Sequence, residues 1–200
     1  LIGLGETLTA AETAGDGYRL FVNGGSGSYT ARAVVNAAGL FADRVAALFG
    51  CAYRLHWAKG DYCSVDGPAP VSRLIYPVPS GHGLGTHLGL RIGGGMRLGP
   101  DVEYVERSER PYPDDDGGTV YSVAPEKAAA FRDSAARWLP ALAAAGTRPE
   151  SYGIRPKLQG PRDGFRDFAV VEESGRGLPR LVNLVGIESP QAQKLERLLR

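Results

Sequence analysis

Arg155 and Lys157 place two positive charges in Tyr152–Pro161, a segment bounded by glycine and proline and otherwise uncharged. An arginine held this way suits a carboxylate, because its planar fork offers two parallel hydrogen bonds and keeps its charge at any physiological pH. Pro156 fixes the backbone that follows it. Lys157 is expected to face away from Arg155, and solvent exposure is its simplest expectation. Two further segments end in small residues. Ala33-Val34-Val35-Asn36-Ala37-Ala38-Gly39 is an apolar strand running toward a helix, and Leu181-Val182-Asn183-Leu184-Val185-Gly186-Ile187-Glu188-Ser189-Pro190 runs into a glycine and a helix start. Together the three segments point to an anionic small-molecule site beside a nucleotide-type cofactor.

Other chemistry-bearing residues are sparser. His87 lies in Gly85-Thr86-His87-Leu88-Gly89-Leu90, where small neighbours leave room beside the ring, and a neutral imidazole there can accept a proton from a substrate hydroxyl. A plain structural histidine is the competing reading. His56 and His82 are not spaced with it as metal ligands, so no metal site is expected. Lys59-Gly60-Asp61-Tyr62 puts a cation and an acid on one strand face and Tyr62 on the other; the simple expectation is a local ion pair at a sheet edge, with Tyr62 available to a ligand. Gly81-His82-Gly83-Leu84-Gly85-Thr86 precedes a strand pattern and has no lysine at the phosphate-loop offset, so it is not a nucleotide loop. No serine sits in a nucleophile elbow.

These residues need a sizeable scaffold. Two hundred residues, 43% of them hydrophobic, can build one large domain or two small ones. The 23 basic and 22 acidic residues nearly cancel, which argues against nucleic acid as a partner. No apolar run is long enough for a transmembrane helix. Cys51 and Cys63 match neither a zinc knuckle nor a redox pair, and a reducing cytoplasmic setting is the expectation. The chain begins with Leu1, so an interior start within a longer protein is expected.

Residues 7–35 read as a β-meander with a hairpin turn at Asn23-Gly24-Gly25. One strand from Tyr29 to Asn36 follows, with Val34 and Val35 expected to be buried on both faces. A helix over about 40–49 is expected to bury Phe41, Val45 and Leu48 and to stop at Gly50. Strands are predicted at Trp57–Val65, Arg73–Val78, Gly83–Leu90 and Met96–Leu98. After the acidic loop Asp114–Gly118, a helix starts at Pro125, presents Ala128, Phe131, Ala135 and Trp138 on one face, and ends by Pro140. Strands return at Phe165–Val171 and Leu181–Val185, and Ser189-Pro190 offers a helix start. The expected organisation is residues 1–50 and 161–200 as two pieces of a cofactor-side domain, with 51–160 as a β-rich insert.

Read in order, several motifs make the chain resemble a known family. They are Val34–Asp43, Lys59-Gly60-Asp61-Tyr62, Ile75-Tyr76-Pro77-Val78-Pro79, Gly85-Thr86-His87-Leu88, Leu98-Gly99-Pro100, Gly153–Leu158 and Gly186–Pro190. The chain resembles FAD-dependent oxidoreductases of the D-amino-acid-oxidase (DAO) superfamily, with the strongest likeness to the L-2-hydroxyglutarate dehydrogenase/oxidase branch, from about residue 5 to Pro190. The fold this implies is mixed α/β and α+β: part of a Rossmann-like, DAO-type FAD-binding domain with an inserted antiparallel β-sheet substrate domain.

The resemblance also implies roles. Asn36, Ala37, Ala38 and Gly39 match the strand end that passes the FAD phosphates and ribose, and Leu8 matches a backbone contact to the adenine. Gly186, Ile187, Glu188, Ser189 and Pro190 match the loop and helix start beside the flavin ring. Arg155 matches the substrate-carboxylate arginine, with Tyr62 and Lys157 as further substrate-side residues, and His87 matches a histidine on the substrate side. The implied reaction oxidises a 2-hydroxy acid to a 2-oxo acid by hydride transfer to flavin N5. An amine or amino-acid oxidase of the same superfamily is the alternative, and a non-catalytic remnant is the third. The family's opening GxGxxG unit has no counterpart here, and the tail from Gln191 departs from the family pattern. A missing N-terminal segment or self-association is therefore expected.

Overall fold

The computed structural model describes residues 2–78, 85–109 and 121–188. His82, the acidic loop Asp114–Gly118 and the Ser189-Pro190 helix start lie outside the described residues. In chain order the elements are β1 (Leu8–Ala14), β2 (Gly17–Val22), β3 (Gly27–Ala31), β4 (Val34–Asn36), α1 (Ala42–Leu48), β5 (His56–Val65), β6 (His87–Leu90), β7 (Met96–Gly99), β8 (Glu103–Val105), α2 (Pro125–Ala136), β9 (Thr147–Lys157), β10 (Ala169–Glu172) and β11 (Leu181–Val185). They form two compact units: residues 1–56 with 155–200, and residues 57–154.

The first unit holds two three-stranded sheets. β1, β2 and β3 form the expected antiparallel meander. The turn at its second corner has positive φ at Asn23, Gly24 and Gly25, the conformation for which asparagine and glycine are suited. The second sheet runs β10-β11-β4, with β4 parallel and β10 antiparallel to β11. The single strand expected from Tyr29 to Asn36 is therefore two strands in two sheets. The chain leaves the meander after Ala31, and Val34 bonds through its N–H to the Arg180 carbonyl at 3.0 Å to enter the second sheet. Because β4 is an edge strand among the described residues, Val35 is 62% exposed instead of buried.

The helix over residues 42–48 buries Ala42, Asp43 and Ala46, not the larger Phe41, Val45 and Leu48. Small side chains let the helix axis approach β11 closely, and Ala46 packs with Tyr18, Cys51 and Leu181 while Ala42 packs with Leu55, Leu158 and Val185. Gly50, at φ 79°, ends it as expected; Gly50 N–H bonds to Ala47 and Cys51 N–H to Ala46, each at 3.0 Å. Asp43 is buried because its carboxylate accepts the Leu55 N–H at 3.0 Å, tying the helix to the segment after it.

In the second unit β5 is central, bonded to β7, β8 and β9, with β6 beyond β7. Alternate residues of β5, from Trp57 through Lys59, Asp61 and Cys63 to Val65, are all buried. α2 covers the sheet with Ala128, Phe131 and Ala135 against Cys63, Leu88, Met96 and Leu98, and Trp138 packs at the rim. Burying Phe131 contributes about 2–3 kcal/mol relative to exposure. Arg73–Val78 forms only an isolated bridge, Ile75 to Leu88, and of Phe165–Val171 only Ala169 onward is strand, with Phe165 83% exposed. Both segments carry apolar residues but have no continuous partner strand among the described residues. At Gly99 (φ 126°) a Cβ would run into the Asp61 carbonyl oxygen, so only glycine lets β7 pass β5 there.

Candidate functional site

The first unit brings the ends of two parallel strands side by side. Asn36 of β4 pairs in register with Asn183 of β11, and each is followed three residues later by a glycine at positive φ, Gly39 at 56° and Gly186 at 76°. The C-terminal ends of parallel strands are where an open α/β sheet binds ligands. Ala37, Ala38 and Gly39 are exposed, and a Cβ on Gly39 would meet nothing within 4 Å among the described residues, which leaves this backbone open to close approach by a ligand. Gly186 is buried; its Cβ would lie 2.9 Å from Leu158.

The Asn36 side chain turns inward. Its Nδ2 donates to the Ala42 carbonyl at 2.7 Å and to Asn183 Oδ1 at 2.8 Å, and its Oδ1 accepts the Ala38 N–H at 3.3 Å. Asn183 Nδ2 in turn donates to Glu173 Oε1 at 2.9 Å. Tyr53 donates its hydroxyl to the same oxygen at 2.6 Å, and Arg176 pairs with Oε2 at 2.9 Å. Burial raises the Glu173 carboxyl, but hydrogen bonds from Tyr53 and Asn183 and the Arg176 charge outweigh it and hold the group below the usual carboxylate range. Burial and the Glu173 contact push the Tyr53 hydroxyl up to about 12. The sequence pattern singles out none of Glu173, Tyr53 or Asn183 as a site residue. The available signal is the Asn-x-x-Gly spacing shared by β4 and β11, with one asparagine in each apolar strand.

Lys157 is buried, 7% exposed, where solvent exposure was the simpler expectation. It also stands two residues from Arg155 on β9, a spacing that puts both on one face of a strand, not on opposite faces. Its Nζ pairs with Glu188 Oε1 at 2.8 Å, so a residue expected on the substrate side holds one expected beside the cofactor. Arg155 is half-buried and belongs to the same unit. Leu8 begins β1, opposite Val22. Ile187 is half-buried after Gly186; Ser189 and Pro190 lie outside the described residues.

Tyr62 and His87 belong to the second unit. Tyr62 faces away from Lys59 and Asp61, and the Arg97 guanidinium lies 4.7 Å above its ring. His87 opens β6 opposite Gly99 and stacks on Tyr76 with ring centroids 4.4 Å apart. Lys59 and Asp61 do form an ion pair, at 2.6 Å, but in the middle of the sheet and not at its edge. Asp61, Asp101 and Glu103 bring carboxylate oxygens within 4.8 Å of one another, a grouping able to hold a cation. The Lys127 ammonium fills that role, at 2.5, 2.8 and 2.6 Å from the three. Burial alone would lower Lys127, but hydrogen bonds to Asp101, Asp61 and Glu103 reverse the sign and hold it above the ordinary lysine value.

A model of the FAD dependent oxidoreductase family, DAO, matches residues 3–193. The chain belongs to that family. It is 38% identical over 168 residues, 78% of its own length, to a protein from Arabidopsis thaliana named L-2-hydroxyglutarate dehydrogenase, mitochondrial. It spans 34% of that relative's length. Among solved structures it is similar to L-alpha-glycerophosphate oxidase from Mycoplasma pneumoniae with FAD bound (TM-score 0.63, 18% identity, 92% of this chain and 46% of that one). Glycine oxidase from Geobacillus kaustophilus is also similar (TM-score 0.58, 20% identity, 90% and 42%). At these identities the structural likeness establishes the DAO-type fold. FAD is the cofactor of the family, and the residues present fit it: small exposed residues at Ala37–Gly39, no described residue within 4 Å of a Cβ on Gly39, and parallel strand ends in register. No helix among the described residues is long and apolar enough to cross a membrane.

Proposed function

We propose that this chain supplies the substrate-side residues and part of the FAD-side residues of an oxidoreductase that converts a 2-hydroxy acid, L-2-hydroxyglutarate, to its 2-oxo acid. The observation that carries the substrate assignment is the 38% identity to the plant L-2-hydroxyglutarate dehydrogenase over 168 residues of this chain. Ala37–Gly39, Gly186–Glu188 and the Leu8 backbone would hold FAD, which when bound supplies the two-electron acceptor for the C2–H of the substrate.

In this reading Arg155 binds the C1 carboxylate by two charge-assisted hydrogen bonds and fixes the orientation of C2. His87, kept flat against Tyr76, takes the hydroxyl proton as the C2–H pair departs. Tyr62 contributes to the substrate-side wall. Lys157 is placed differently from the sequence expectation: its ammonium is engaged with Glu188, so its part is to hold the loop after β11.

The test is kinetic, on the FAD-loaded protein. Arg155→Lys keeps the charge but loses the fork and is expected to raise KM for the hydroxy acid by about tenfold or more, at about 1.4 kcal/mol per tenfold. His87→Asn is expected to lower kcat about 10²–10⁴-fold and to remove the acid limb of its pH profile. A His87→Asn protein with normal kcat rejects the assigned base. An Arg155→Lys protein with unchanged KM rejects the anchor.

A further inference from the structure

We infer that Glu173 is a positioning residue whose charge fixes the direction of a buried hydrogen-bond relay, Glu173–Asn183–Asn36, and thereby sets the shape of the Asn36–Gly39 turn. The inference rests on the reading of that turn as a cofactor contact, and it concerns how the turn is held.

Donors and acceptors decide the direction. An asparagine amide can face either way, and its orientation is decided by its partners. An ionised carboxylate only accepts, so Glu173 Oε1 obliges Asn183 to present Nδ2 toward it at 2.9 Å. Asn183 must then present Oδ1 to Asn36, which answers with Nδ2 at 2.8 Å. That leaves Asn36 Oδ1 facing the Ala38 N–H at 3.3 Å, while Nδ2 also reaches the Ala42 carbonyl at 2.7 Å. Each step has one allowed polarity, and the two backbone groups at the far end demand the same polarity as the carboxylate at the near end. Asn36, Asn183 and Glu173 are 2%, 0% and 2% exposed, so water cannot substitute for a lost partner. Tyr53 and Arg176 complete the carboxylate and hold it ionised in place.

The relay joins the segment after β10 to β11, β4 and the start of α1. A purely space-filling role would require only that these side chains fit. A directional relay makes a stronger demand: reversing one member should be better tolerated, although the Ala42 carbonyl still calls for a donor, when the carboxylate that sets the direction is removed.

Asn36→Asp replaces the Nδ2 donor by an acceptor facing Asn183 Oδ1 and the Ala42 carbonyl. Asn183 cannot turn to meet it while Glu173 is ionised. Glu173→Gln lifts that restriction, because the glutamine amide can donate to Asn183 Oδ1, with the Tyr53 hydroxyl at the same position turning to accept, and let Asn183 Nδ2 face the carboxylate introduced at position 36. Amide hydrogen exchange of Ala38 and Phe41, with the β1–β2 hairpin as internal reference, reads the turn without any cofactor. Asn36→Asp is expected to raise exchange there by about tenfold or more, on the order of two lost hydrogen bonds. Adding Glu173→Gln is expected to bring it back by at least about threefold. Exchange in the double variant equal to or above the product of the two single effects would overturn the relay, as would a change spread evenly over the hairpin. If Asn36→Asp does not fold, Glu173→Gln alone carries the test: it frees the direction of Asn183 and is expected to raise exchange at Ala38 and Phe41 relative to the hairpin, and exchange unchanged there overturns the proposal. FAD affinity of the same variants, followed by flavin fluorescence, is expected to fall and recover in the same order. Exchange that recovers while FAD affinity never changes refutes the turn's cofactor role and leaves the relay standing.

Discussion

Lys157 and Glu188 differ sharply in burial, and that difference fixes the order of two variants. The side chains are 9% and 32% exposed, with 2.8 Å between Nζ and Oε1. At an effective dielectric near 20 the Coulomb attraction at this separation is about 6 kcal/mol, opposed by a desolvation cost of several kcal/mol per ion. Removing Glu188 as Glu188→Gln leaves the ammonium in a place water barely reaches, at an expected cost of about 3 kcal/mol. Removing the cation as Lys157→Met keeps the apolar stem packed and leaves a carboxylate able to rehydrate, at an expected cost of about 1 kcal/mol. The double variant should lie near Lys157→Met, because the unpaired buried charge is gone. Urea unfolding followed by a probe in the first unit measures all three. Equal effects, or a larger effect from Lys157→Met, would refute the reasoning that burial of the ammonium dominates.

Three further outcomes follow from the geometry. Lys127→Met removes the ammonium from among Asp61, Asp101 and Glu103 and is expected to destabilise the second unit by about 3 kcal/mol; millimolar calcium should then raise the melting temperature of the variant and not of the parent, and a variant indifferent to calcium rejects the ammonium as a cation surrogate. The lowered Glu173 carboxyl contributes stability that is present above its unfolded value near 4.5 and lost as pH falls through its lower folded value, while Tyr53, raised to about 12, loses its contribution as pH rises from 10 toward 12. Glu173→Gln should flatten the acid limb of the stability profile and Tyr53→Phe the alkaline limb; profiles identical to the parent would contradict this. Gly99→Ala would drive a Cβ into the Asp61 carbonyl oxygen at φ 126°, and the expected loss is about 3 kcal/mol or more by thermal unfolding, against near-neutrality if β7 can shift.

Much of the first unit's order could be read from the chain because local signals agreed with tertiary demands. Leu181–Val185 is apolar throughout except for Asn183, buried at alternate positions, and punctuated by Gly186, and it is a strand as expected. Asn23-Gly24-Gly25 and Gly50 announce positive φ, and the backbone has it. What failed were inferences about which face is covered. Val34 and Val35 look equally apolar, yet an edge strand leaves Val35 open. Phe41, Val45 and Leu48 outrank alanine in hydrophobicity, but Ala42 and Ala46 face the sheet because closeness of approach decided the packing. For the candidate site, glycines and small residues marked Ala37–Gly39, whereas the buried polar residues were hidden. An asparagine in a strand or a lysine after a proline reads as surface until its partner is known, and Glu173 and Glu188 are distant in sequence from Asn36 and Lys157.

The most direct trial of the functional reading is anaerobic reduction of the FAD-loaded protein by candidate substrates, followed as loss of the flavin's visible absorbance. L-2-hydroxyglutarate should bleach the flavin rapidly, with the 2-oxo acid formed in equal amount, while glycine and sarcosine leave it yellow. Bleaching by the amines in preference to the hydroxy acid would contradict the account.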